Sequence, residues 1–250
     1  SLSKRNFRVM AKYEQHPAYL KFAEEIMDDV IAASPKYVDY QFFASTGQFT
    51  IEFKNEMVDF YPHLNKIKFR KKSKNFELDG LNKLLKYVGA NTNTQSKPML
   101  KQSQAFGCGM YAVANALNLD NFATPERLEL SKGGNRIGQL SKWLQEDGLD
   151  LYVEVFWYHH HGKKLPADFF NYNVTDAAAM PLLFNVRFSD EGKNHLIAAK
   201  LMANGTLLIQ DSLQSEPIWT TMSEVNNLYH TVYGIFCFAN CSTGNFTFLH

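Results

Sequence analysis

Gln102-Ser-Gln-Ala-Phe-Gly-Cys108-Gly-Met-Tyr-Ala-Val-Ala-Asn-Ala-Leu117 is the stretch that decides how this chain is read. A polar loop closes on Gly107 and runs straight into small and apolar residues that read as a buried helix. Cys108 therefore stands at a helix start, where unpaired backbone N–H groups and the positive end of the helix dipole favour a thiolate. Far downstream, Asn194-His195-Leu-Ile-Ala-Ala opens one apolar strand, and Thr206-Leu-Leu-Ile-Gln-Asp211-Ser closes the next. A thiol on a helix, an imidazole on a strand and a carboxylate after the following strand supply a nucleophile, its base and a group to orient the base.

The chain has 250 residues, 45% of them hydrophobic and 20% charged, enough for one large domain or two small ones with a real core. A net charge of +1 gives no general attraction to nucleic acid or to an anionic membrane, and neither is expected as a partner. No apolar stretch approaches a membrane span, and Ser1-Leu-Ser-Lys-Arg-Asn-Phe-Arg8 lacks the apolar region of a signal peptide. The three cysteines, Cys108, Cys237 and Cys241, do not make a disulfide scaffold and fit a reducing compartment. The expected setting is cytoplasmic, or that of a delivered effector. Cys237 falls in an apolar run and reads as a small core residue; with Cys241 it lacks the second ligand pair of a metal site. The glycosylation sequons at Asn173, Asn204, Asn240 and Asn245 matter only in a secreted protein.

The organisation predicts an α+β protein with two domains, residues 1–95 and 96–250. In the first, residues 17–33 carry Ala23, Ile26, Met27, Val30 and Ile31 at helical spacing. Residues 37–44 and 48–54 read as a hairpin, and residues 77–88 as a helix with Leu78, Leu81, Leu84, Leu85 and Val88 on one side. Gly89-Ala-Asn-Thr-Asn-Thr-Gln-Ser-Lys-Pro98 is the linker candidate. Lys66-Ile-Lys-Phe-Arg-Lys-Lys-Ser-Lys74 reads as a charged edge strand and turn in preference to a nucleic-acid patch. The second domain runs helices first, with Thr124 capping a helix begun by Pro125 and another over residues 139–146 ended by Gly148. Strands follow at 151–157, 180–188, 195–202, 206–210 and 232–239. His159-His160-His161 reads as a solvated loop, since adjacent strand residues point to opposite faces and cannot share one metal without a turn.

The second domain resembles papain-like cysteine peptidases. Gln102 ahead of the nucleophile, Cys108-Gly109 opening a small-residue helix, His195 on its strand and Asp211 after the next match that superfamily's positions. The Gly133–Val155 stretch also resembles the bacteriocin-processing peptidase domains of bacterial exporters. A further likeness, to Josephin-type deubiquitinases, rests on Asn118–Leu128 and Asp211–Pro217, although those proteins usually carry Asn nearer the His and differ after the Cys. The resemblance implies a helical lobe carrying the nucleophile, an antiparallel sheet carrying His and Asp, and Gln102 as an oxyanion donor with Gln104 as its rival. It does not extend to residues 1–95, which are expected to recognise substrate, anchor the protein or act as a pro-region.

Each residue singly has a plainer reading: a packing cysteine, a satisfied histidine, a turn aspartate. Their order and spacing together favour catalysis. The expectation is a thiol peptidase acting on a polypeptide, with a Gly-Gly or ubiquitin-like tail as the preferred substrate and no cofactor or metal. A transglutaminase or acyltransferase with the same triad, and an inactive papain-fold binding module, are the alternatives.

Overall fold

Clean alternation in Gln48-Phe-Thr-Ile-Glu-Phe53 builds an interior strand of the first of two compact units. This is a computed structural model, describing residues 17–34, 38–53, 55–88, 98–158, 179–202, 205–221, 224–225 and 228–249. The units are Ser1–Thr92 with Asn204–Thr206 and Trp219–Glu224, and Asn93–Ala203 with Leu207–Ile218 and Val225–His250. Except for Pro98, the linker candidate lies outside the described residues, as do His159–His161 and the sequons at Asn173 and Asn204.

In the first unit, β1 (Asp39–Phe43), β2 (Gln48–Phe53), β3 (Glu56–Tyr61), β4 (Lys66–Phe69) and β5 (Glu77–Leu78) form an antiparallel meander in chain order. Phe49, Ile51, Phe53, Val58, Phe60 and Ile67 are buried, as are Ala23, Ile26, Met27 and Val30 of α1 (Pro17–Ala33). Leu81, Leu84 and Leu85 supply the buried face of α2 (Gly80–Tyr87), which packs on β3, β4 and α1.

Two expectations are corrected here. The helix expected over residues 77–88 starts only at Gly80, because Asp79 takes a left-handed conformation (φ 59°) and Glu77–Leu78 pair with β4. Leu78 is accordingly exposed (69%) and does not join the apolar face. The Lys66–Lys74 run is a strand only as far as Phe69, and β4 has neighbours on both sides instead of lying at the edge. Arg70 turns back onto Asp59 with two hydrogen bonds of 3.0 and 2.8 Å, which neutralises part of that run. β3 had no reading of its own in the sequence.

The second unit holds α3 (Cys108–Leu117), α4 (Pro125–Leu130) and α5 (Ile137–Glu146). The six-stranded sheet comprises β6 (Leu151–Tyr158), β7 (Ala179–Arg187), β8 (His195–Met202), β9 (Thr206–Gln210), β10 (Ile218–Thr221) and β11 (Thr231–Asn240). The sheet order is β10-β9-β8-β7-β11-β6, with the registered pairs antiparallel. α3 lies on β8 and β7, and α5 on β6. Met110, Val113 and Leu117 of α3 share a core with Leu140, Trp143 and Leu144 of α5 and with Leu183, Ala198, Phe236 and Phe238 of the sheet. The chain is thus mixed α+β, with helices packed on two antiparallel sheets. Thr124 caps α4 by accepting from Arg127 N, and α5 begins two residues before the expected 139. Cys237 lies in the sheet core, where burial pushes its thiol up to about 12. Among the described residues no helix is long and apolar enough to cross a membrane.

One buried charge was not foreseen. Lys200 of β8 is 1% exposed, donates to Asn118 Oδ1 at 2.7 Å, and is lowered by burial to about 8. Phe184, wholly buried at the centre of β7, tests the packing. Phe184→Ala should destabilise the protein by about 3–5 kcal/mol in urea unfolding; a loss below about 1 kcal/mol would contradict the described core.

Candidate active site

Two glycines set the entry to α3. Gly107, the residue before the helix, has φ 89°, and a Cβ there would also stand 2.7 Å from Leu128 Cδ2. A Cβ on Gly109 would stand 2.8 Å from Asn135 Oδ1, and Asn135 is itself fixed by donating to Ser131 Oγ at 2.7 Å. Cys108 is thus pinned between residues that α4 and the loop before α5 press close. The segment leading into it is held by Asn115 of α3, whose amide accepts from Leu100 N (2.7 Å) and donates to Leu100 O (3.0 Å) as a backbone partner would.

α3 packs on β8, and this brings Cys108 to His195, the first residue of that strand. The two side chains are close enough for each to shift the other's protonation. On the other side of the ring, His195 Nε2 lies 2.7 Å from Asp211 Oδ1, so Nδ1 is the nitrogen left for the sulfur. His195 and Asp211 are both buried, at 6% and 1% exposed. The second carboxylate oxygen accepts from Tyr229 Oη at 2.9 Å, and Oδ1 also accepts from Leu213 N at 3.0 Å. Phe188 stacks on the imidazole, its ring centroid 5.8 Å away and inclined by 28°.

The electrostatics follow from these contacts. Burial alone would raise the Cys108 thiol, but hydrogen bonds from His195 and from the backbone N–H groups of Leu196 and Gly109, with the His195 charge, bring it below the ordinary thiol value. Burial would lower His195, and the bonds to Asp211 and Cys108 outweigh it, raising the ring to about 9. Asp211 is held low because His195, Leu213 N and Tyr229 overcome the cost of burying its charge. The pair is therefore thiolate and imidazolium over a window. As pH falls below the depressed thiol value the sulfur is protonated, and above about 9 the ring loses its proton.

Gln102 is fixed to the same turn as Asp211. Its backbone N–H donates to Ser212 O at 2.9 Å, and its side-chain oxygen accepts from Ser212 Oγ at 3.0 Å. One amide hydrogen goes to Gln104 O at 2.7 Å. Gln104 Oε1 accepts from Ser103 Oγ and Tyr111 Oη, at 3.1 and 3.3 Å. Sequence reasoning missed Tyr229, Phe188, Ser212, Asn115 and Asn135. Asn115 alone left a signal, as an amide inside an apolar helix. Among the described residues no group of three or more His, Cys, Asp or Glu side chains could hold a metal ion.

A buried His195–Asp211 pair set against the helix that bears Cys108 is a cysteine-protease-like triad arrangement. No family model matches the chain, and no curated protein matches it either.

With iodoacetamide near pH 7, peptide mapping should find Cys108 labelled well before Cys237 and Cys241, since the thiolate is the reactive form. His195→Ala should abolish that preference; equal labelling of the three thiols in the wild type would refute the ion pair. Gly107→Ala should slow the same labelling as well as destabilise the fold, by about 1–3 kcal/mol in urea.

Proposed function

We propose that this protein is a papain-like thiol peptidase, with Cys108 as nucleophile, His195 as acid and base, Asp211 as its orienting group and Gln102 as oxyanion donor. The observation that carries the reading is the juxtaposition of Cys108 with the buried, hydrogen-bonded His195–Asp211 pair. The Cys108 thiolate attacks the scissile carbonyl, and the charge that develops on oxygen meets the remaining Gln102 amide hydrogen and the N–H groups of the α3 start. The C–N bond breaks as His195 gives its proton to the leaving amine, leaving an acyl-thioester. His195 then takes a proton from water, hydroxide adds to the thioester, and the thiolate leaves. Throughout, Asp211 holds the ring in one tautomer and one orientation.

The proposed substrate is a polypeptide cut at a peptide or isopeptide bond after Gly-Gly, on the likeness to exporter peptidase domains and to Josephin-type enzymes. The N-terminal α+β domain, residues 1–95, would recognise substrate, anchor the protein or act as a pro-region.

Intact-mass labelling with a ubiquitin-like C-terminal electrophile and a small peptide-like epoxide tests the reading. Both should form adducts with wild type and neither with Cys108→Ala. Labelling by the epoxide alone would keep the thiol peptidase and discard the Gly-Gly preference; acyl transfer to an added amine in place of hydrolysis would make it an acyltransferase. No adduct on folded protein would leave a binding module. In a peptide-cleavage assay, Gln102→Ala should lower kcat by about 10²–10³-fold. A Gln102→Ala enzyme of unchanged kcat would remove Gln102 from the oxyanion role.

A further inference from the structure

A buried carboxylate needs donors on both oxygens, because an unsatisfied lone pair away from water is costly. Asp211 finds them in three places. Oδ1 accepts from His195 Nε2 and from Leu213 N, while Oδ2 accepts from Tyr229 Oη. Leu213 belongs to the same turn as Asp211, so its N–H moves with the carboxylate and cannot set its direction against β8. Tyr229 comes from a different part of the chain, just ahead of β11, and is itself buried at 5% exposure. Its ring also contacts Phe188, centroids 5.6 Å apart, and Phe188 in turn stacks on His195. The hydroxyl and the ring therefore address the same imidazole from two sides, one through a carboxylate and one through an aromatic face.

We propose that Tyr229 is a positioning residue of the candidate active site, its hydroxyl fixing the rotation of the Asp211 carboxylate so that Oδ1 stays on His195 Nε2. The proposal rests on the thiol-hydrolase reading above. With the hydroxyl gone, the carboxylate has no fixed second anchor and turns toward other donors. The imidazolium then loses its partner for part of the time, and the thiolate loses the imidazolium. Burial and the Asp211 charge raise the phenol well above its ordinary range, so it stays an O–H donor wherever the ion pair exists. Other charged groups close by are already engaged: His230, the next residue, contacts Asp190 at 2.7 Å, and Arg187 donates to Asn194 and Tyr233. Facing the ring itself are Cys108, Asp211 and Phe188.

The test is the pH profile of Cys108 alkylation by iodoacetamide, which reads the ion pair whether or not a peptide substrate is known. A purely structural role would not move it. Tyr229→Phe keeps the ring and should shift the acid limb upward by about half to one pH unit, in the same direction as Asp211→Asn. Added to Asp211→Asn, the tyrosine change should have no further effect. A folded Tyr229→Phe protein whose profile superposes on the wild type overturns the proposal, as does a shift that persists in the Asp211→Asn background. Should Tyr229→Phe fail to fold, the double variant decides: it folds if the hydroxyl serves the Asp211 charge, and it fails if Tyr229 is needed for packing alone. A wild-type profile with an ordinary thiol limb would instead sink the ion pair itself and the function built on it, a result distinct from any Tyr229 outcome.

Discussion

The contact between His195 Nε2 and Asp211 Oδ1 is the constraint the rest of the site answers to. Two ionisable groups are held away from water, and the cost of burying them is met only when geometry is close and the remaining lone pairs are filled. Leu213 N and Tyr229 fill them. The register of β8 on β9, with Ala198 opposite Gln210 and Leu201 opposite Leu207, brings the start of one strand and the end of the other to the same end of the sheet. Each residue of slippage would move the partners about 3.4 Å along the strand, more than a hydrogen bond tolerates. The apolar side chains of the two strands, all buried except the half-buried Leu196, are what hold that register.

Cys108, the candidate nucleophile, is placed by a different means. α3 has no charged residue and few ways to anchor its own start, so the loop before it does the work. Gly107 and Gly109 let Leu128 and the Asn135 side chain come in to contact distance, and Asn115 ties down Leu100. Arg127 fixes α4 to α5 through a two-pronged contact with Asp147 and further bonds to the Phe122 and Trp143 carbonyls. Rigid supports of this sort matter because a thiolate–imidazolium pair is set by distance, and an error of about 1 Å can cost about a hundredfold in rate.

What could be read from the chain alone follows from how local the signals were. α3, β8 and β9 have bounds that match the sequence reading because each is a dense apolar run with polar or glycine punctuation. The candidate triad was visible since thiol, imidazole and carboxylate each sit at an end of such a run. The helix start at Gly80 was misjudged because Leu78 continues the apolar spacing, and only the left-handed Asp79 turns it away. β3 hid because Glu56, Met57 and Asp59 dilute its alternation; Asp59 is buried through partners, Arg70 and Thr50, far off in sequence. Tyr229 lies in an irregular segment with no periodicity, and Phe188, read as the last residue of a strand, stands just past the end of β7; the part of both depends on tertiary neighbours. Lys200 drew no reading of its own, since its enclosure depends on neighbours such as Asn118, far off in sequence.

The turn at Asp211-Ser212 carries two duties at once. Asp211 grips the imidazole, while Ser212 grips Gln102 by both its hydroxyl and its carbonyl. Orientation of the imidazole and placement of Gln102, the proposed oxyanion donor, are therefore not separate traits that selection could tune one by one. A substitution at either position disturbs both, and its effect depends on which residue already occupies the other. In a lineage of such proteins this short turn would change as a unit or hardly at all, while the surface around it drifts freely.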